Sequence, residues 1–209
     1  MPPSYNQIAG QSVERLAALS DGVFAVAMTL LVLDLKVPAA DSIHAEQDLA
    51  HALLALAPRL VIYLLSFMTL GIFWVGQQTQ LNHLARGDRA LAWRHLGFLV
   101  LITLMPFSTS LMAEFIALRL ALLVYWLNIA ALGLMLHFAW HHAKAAHLMK
   151  PEVDGIVIRS VEQRIGIAQG LYFAGALLCY FNTYWSITMF IVVQLNYAIA
   201  PRIPWLSKV

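Results

Sequence analysis

Apolar residues fall along this chain in long blocks, each closed by charged or turn-forming residues. About twenty apolar residues are what an α-helix needs to cross the hydrocarbon core of a bilayer. Six such blocks predict six spans, near residues 16–36, 57–78, 91–113, 117–140, 165–183 and 185–203. The third and fourth are joined by little more than Ala113 to Arg119, the fifth and sixth by Phe181 to Trp185, so both pairs predict tight hairpins. Pro106 predicts a kink in the third span, its freed backbone groups met by Ser108, Thr109 or neighbouring helices. Gly166, Gly170 and Ala174 recur every four residues and predict a small-residue face packed within the subunit.

Composition agrees with the pattern. The 209 residues are 61% hydrophobic and 11% charged, against about 25% charged in soluble domains, and mean hydropathy is +0.72. The expected fold is a single all-α membrane domain over residues 1–209, with the lipid bilayer as its surroundings. Residues 1–16 carry no basic region or small-residue cleavage site, so no cleaved signal peptide is expected. Cys179 is the single cysteine and has no partner for an internal disulfide.

Charge placement gives the orientation. Six spans put Arg15, Arg86, Arg89, Arg94, Lys144, Lys150, Arg159, Arg164, Arg202 and Lys208 on one side, and only Lys36, Arg59 and Arg119 on the other. Ten against three predicts that both termini are cytoplasmic. The opposite loop holds Asp34, Asp41, Glu46 and Asp48 and is acidic. Trp93, Trp140, Tyr184, Trp185 and Trp205 fall near span ends, where aromatic rings favour the membrane interface. No Lys/Arg block suggests a nucleic-acid partner.

Candidate chemistry is sparse. His137, His141 and His142 read H-x-x-x-H-H, as in histidine-box metal enzymes, but His44, His51, His83 and His95 form no second box. The competing reading is a helix end where histidines face the last carbonyls. No phosphate-binding loop, dinucleotide fingerprint or nucleophile elbow occurs, and no T-V-G-Y-G segment, which excludes a re-entrant carbonyl filter of the ordinary kind. Asp21, Asp34 and Glu114 lie near span ends rather than at mid-membrane depth, which weighs against a proton-coupled transporter.

The first span is the exception. Arg15, Ser20 and Asp21 stand at the entrance of an apolar run. At 100° per residue, Arg15, Leu19, Gly22, Val26, Thr29, Leu30 and Leu33 share one side, and Asp21, Met28 and Val32 another. Arg15 and Asp21, about 120° apart, cannot bridge within the helix, so each needs a partner elsewhere. The stripe from Val26 to Leu33 fits ordinary packing. Packing is the usual meaning of such a stripe; the functional reading is a narrow hydrophobic pore that gates by dewetting, with the Thr29 hydroxyl beside a passing cation.

Arg15-x-x-x-Leu19-Ser20-Asp21 resembles the R-x-x-x-F-S-D signature of the transmembrane protein 175 family of potassium channels. Ser66 to Gln78 is similar to the family's second span, and Leu91 to Phe115, with Pro106-Phe107, to its third. Six spans in about two hundred residues match its single-repeat prokaryotic members. The resemblance implies a homotetramer in the cell membrane, the inner membrane of a bacterium. It implies a pore lined by the first span, with Val26, Leu30 and Leu33 as constriction and Thr29 at the selectivity position. It also implies a polar network of Arg15, Ser20 and Asp21 with Trp74. Leu19 replaces the signature Phe, and Gln77-Gln78 stands where many members have His-His.

The expected function is passive, potassium-preferring conduction, with no catalytic residue, no cofactor beyond the permeant potassium ions and no metal site. The alternatives are a secondary ion transporter of the same topology and a membrane metalloenzyme at His137, His141 and His142.

Overall fold

The computed structural model describes residues 12–199. Helix α1 runs Val13–Leu30 and tightens into a 3-10 turn over Leu31–Asp34. A short helix α2, Glu46–Ala55, follows in the acidic loop. Then come α3 (Ala57–Asn82), α4 (Arg89–Thr103), α5 (Met105–Glu114), α6 (Arg119–Ala145), α7 (Gly155–Leu177) and α8 (Thr183–Ile199). The described residues include no named strand.

Local chemistry fixes the starts. The Ser12 side chain accepts from the Arg15 backbone N–H at the head of α1. Asp88 caps α4 through Leu91, and Asp154 caps α7 through Ile156 and Val157. Each cap meets an N–H that has no partner inside its helix. The third span breaks at Leu104, between α4 and α5, just ahead of Pro106. The Ser108 and Thr109 hydroxyls both donate to the Met105 carbonyl there, at 3.0 and 2.8 Å.

Four segments are long and apolar enough to cross a membrane: Val13–Asp34, Ala57–Asn82, Arg89–Glu114 and Arg119–Ala145. The expected fifth and sixth spans are helical but differ in make-up. The first part of α7 carries Arg159, Glu162 and Arg164, so its apolar stretch starts only at Ile165. Helix α8 has 17 residues, and the expected end of the sixth span at 203 lies outside the described residues.

Helix α6 is the spine, packing against α4, α5 and α7, with α8 closing onto α3 and α7. The core is built from Phe24, Ile62, Phe98, Ile102, Tyr125 and Phe190, all buried. A chain of hydroxyls threads it. Thr109 Oγ1 lies 2.8 Å from Ser66 Oγ, Ser66 donates to the Tyr125 hydroxyl at 3.2 Å, Thr69 meets Tyr125 at 2.9 Å, and Gln194 donates to Thr69 at 2.6 Å. With little water available, these groups must satisfy one another.

Two expectations about packing fail. A Cβ at Gly166 or Gly170 would meet nothing within 4 Å. The glycine of α7 that does pack is Gly175, where a Cβ would come within 2.9 Å of the Phe190 ring. Trp140 is 1% exposed, wedged in the core rather than at an interface, while Trp93 and Trp185 are exposed. Trp205 lies outside the described residues.

Candidate functional site

Helix α1 meets its own subunit through one narrow face. Ser20, Phe24, Ala27 and Leu31 are buried, at spacings of four, three and four. That is one stripe of an α-helix. Phe24 stacks at a tilt on Phe98, ring centres 6.0 Å apart, and Phe98 on Phe73 at 6.3 Å. These contacts join α1 to α4 and α3.

Polar anchors hold both ends of that face. At one end of the face, Ser20 Oγ donates to the Leu16 carbonyl at 2.9 Å and accepts from Gln77 Nε2 at 3.2 Å. His95 Nε2 lies 2.5 Å from the same oxygen. A serine has one proton. Given to Leu16, it leaves His95 as the donor through Nε2. The adjacent Asp21 extends the anchor: its Oδ1 accepts from Trp74 Nε1 and from Gln78 Nε2, each at 2.8 Å. At the other end the Ser110 hydroxyl lies 2.6 Å from both oxygens of Asp34 and ties the 3-10 turn to α5. Pinned at its middle and at the 3-10 turn that follows it, α1 cannot roll freely, so the direction of its remaining faces is fixed.

The face turned away from the subunit is apolar and uncovered. Val26 is 58% exposed, Leu30 44% and Leu33 68%, against 2% for both Phe24 and Ala27. Residues i and i+3 eclipse in a 3-10 turn, which keeps Leu33 in line with Leu30. Thr29 is exposed on the same side, its hydroxyl donating to the Val26 carbonyl at 2.8 Å. Its lone pairs are left facing outward. An open groove of about 370 Å³ runs beside the stripe, between α1 and Thr103 of α4.

Of the expected network, the structure brings Ser20, Asp21 and Trp74 together. Arg15 is exposed, and its guanidinium has no partner among the described residues. Gln77 and Gln78 take the donor positions toward Ser20 and Asp21, so neutral amides suffice for this geometry. His95 was not singled out by the sequence, which grouped it with the scattered histidines. The available signal was its place inside an apolar block, where an ionisable group needs a partner.

The other histidines form no comparable centre. His137 and His141 stack with rings 6.3 Å apart, while His142 pairs with Asp88 at 2.9 Å. Among the described residues no three His, Cys, Asp or Glu side chains converge.

The profile of the family described as endosomal/lysosomal potassium channel TMEM175 matches residues 15–106. A potassium channel of Streptomyces collinus is 38% identical over 73% of this chain and 75% of its own. A potassium channel of Chamaesiphon minutus is 31% identical over 88% of this chain and 93% of its own. The chain belongs to the TMEM175 family. The matched stretch runs from α1 to the start of α5 and so holds Ser20, Asp21, Trp74, Gln77, Gln78 and His95. The fold agrees with a crystal structure titled as a lysosomal potassium-selective channel TMEM175 homolog from Chamaesiphon minutus. Its TM-score is 0.79 at 29% identity, over 90% of this chain and 97% of that one.

Proposed function

We propose that the chain is a potassium-preferring cation channel that assembles as a homotetramer, with α1 of each subunit lining a central pore. The observation that carries this reading is the uncovered stripe. An apolar helix face that its own subunit leaves bare, on a helix pinned at its middle and at its C-terminal turn, suits contact with other copies of itself around an axis. Val26, Leu30 and Leu33 then form the constriction, and dewetting between them closes the path. Thr29 supplies the hydroxyl oxygens on the stripe and is the selectivity position. Ser20, Asp21 and Trp74, joined by Gln77, Gln78 and His95, hold the stripe's direction, and Arg15 finds its partner on a neighbouring subunit. The relatives' names as potassium channels support conduction rather than catalysis. No catalytic residue or cofactor is assigned.

In this reading α7 and α8 are the fifth and sixth spans. The Lys/Arg asymmetry supports a topology with both termini in the cytoplasm, and the chain sits in the cell membrane of a bacterium, the inner one where there are two. The acidic loop around Asp41, Glu46 and Asp48 faces outward and raises cation concentration at the mouth, within a Debye length of about 8 Å.

Planar-bilayer recording of the purified protein under potassium against sodium tests this. Discrete current steps with a reversal potential displaced toward potassium are expected. Saturable flux without steps would instead identify a transporter.

A further inference from the structure

A second cavity lies away from the stripe, between α3, α6, α7 and α8, with a volume of about 110 Å³. Val75, Leu136 and Ile165 give it apolar walls, while Arg164, Gln80 and Tyr197 give it polar ones. The polar side is not satisfied from within. Gln80 is 6% exposed, and its amide has no hydrogen-bond partner among the described residues. The Tyr197 hydroxyl is buried without a partner among the described residues. Arg164 lies over the Tyr197 ring, 5.3 Å from its centre, and has no carboxylate partner among the described residues. The nearby Glu162 is taken by Lys144 at 3.3 Å.

Idle donors beside apolar walls match an amphiphile with an anionic oxygen head. Arginine's planar fork suits phosphate, and basic pockets between membrane helices on the cytoplasmic side are where anionic headgroups bind. A free phosphate ion would make no use of Val75 and Ile165. We propose that this cavity takes the phosphate of an anionic phospholipid, with Arg164 and Tyr197 as donors and an acyl chain along Val75 and Ile165. That the lipid comes from the cytoplasmic leaflet rests on the topology proposed above; the binding itself does not.

Gly76 supplies a test that leaves charge alone. A Cβ there meets only Leu136 Cδ1, at 4.0 Å, so Gly76→Leu enters the cavity without pushing a helix aside. The full-length protein is mixed in detergent with equal phosphatidylglycerol and phosphatidylcholine, and retained lipid is read by native mass spectrometry. The wild type should retain phosphatidylglycerol about tenfold over phosphatidylcholine, as one charge-assisted pair allows. Arg164→Gln and Gly76→Leu should each bring the ratio to about one, with the oligomer intact. If Arg164→Gln does not fold, Gly76→Leu decides. Equal retention in the wild type, or a preference that survives either folded variant, overturns the proposal. So does heat stabilisation by inorganic phosphate, dependent on Arg164, in protein that retains no phosphatidylglycerol. None of these readings depends on current, so failure here is separable from failure of the channel assignment.

Discussion

Asp21 Oδ1 accepts the indole N–H of Trp74 at 2.8 Å, joining the middle of α1 to the second half of α3 across 53 residues of sequence. The same oxygen takes Gln78 Nε2. Two donors on one oxygen define a position more sharply than one, because moving the helix weakens both bonds together.

Trp74→Phe deletes that donor and keeps an aromatic ring. Stability should fall by about 1 kcal/mol, the usual net worth of one such bond. Thermal unfolding of the protein in detergent measures it, and an unchanged midpoint would mean that the bond contributes nothing to holding α1.

Ser20→Ala should cost more. It leaves Gln77 Nε2 and His95 Nε2 without their partner in a buried place, and Gln77 Oε1 is already unpaired there. Orphaned buried groups cost about 1–3 kcal/mol each. The unfolding midpoint of Ser20→Ala should therefore lie below that of Trp74→Phe; the reverse order would place the main anchor at Asp21.

Asp88 gives a pH dependence outside the membrane. Burial pushes its carboxyl up, but the Leu91 N–H and the His142 pair outweigh this and hold it below its ordinary value of 3.8. A carboxyl lowered in the folded state adds stability above its unfolded value and loses it as pH falls through the folded one. Melting midpoints taken from about pH 6 down to about pH 3 should drop less steeply in Asp88→Asn than in the wild type. Parallel curves would show that Asp88 has no differential interaction in the folded state.

Much of the helical framework was legible in the sequence, because lipid imposes length and apolarity on each span. The 100° wheel set the Val26 to Leu33 stripe apart, since α1 keeps that period until its 3-10 turn; that Phe24 and Leu31 form the buried face was not read from it. What sequence could not give was which small residues touch a neighbour. Gly166 and Gly170 have the right spacing but face away, while Gly175 meets Phe190 because α8 folds back beside it. Trp140 likewise has the composition of an interface residue and the position of a core one. The first half of α7 was ambiguous for another reason. Arg159, Glu162 and Arg164 stand on a continuous helix, so helix and span do not share a boundary. The anchor was only half legible: Asp21 demanded a partner, but His95 on α4 answers Ser20 from 75 residues away.

Thr29→Val should lower the preference for potassium over sodium and leave assembly unchanged. The two side chains are nearly equal in volume, and the hydroxyl proton is already spent on the Val26 carbonyl, so the loss is of outward lone pairs. Reversal potentials under bi-ionic conditions give the answer. An unchanged ratio would mean that the hydroxyl does not face the ion.

Conductance of Leu30→Asn tests the central claim most directly. If Leu30 rings a pore, an amide there keeps water in the constriction and lowers the barrier to a hydrated cation. If it lies against another surface instead, the amide is buried unsatisfied at a cost of about 1–3 kcal/mol. Reconstituted Leu30→Asn should therefore be a folded tetramer that passes more cation current than the wild type. A folded Leu30→Asn tetramer with current no greater than the wild type would contradict α1 as the pore lining.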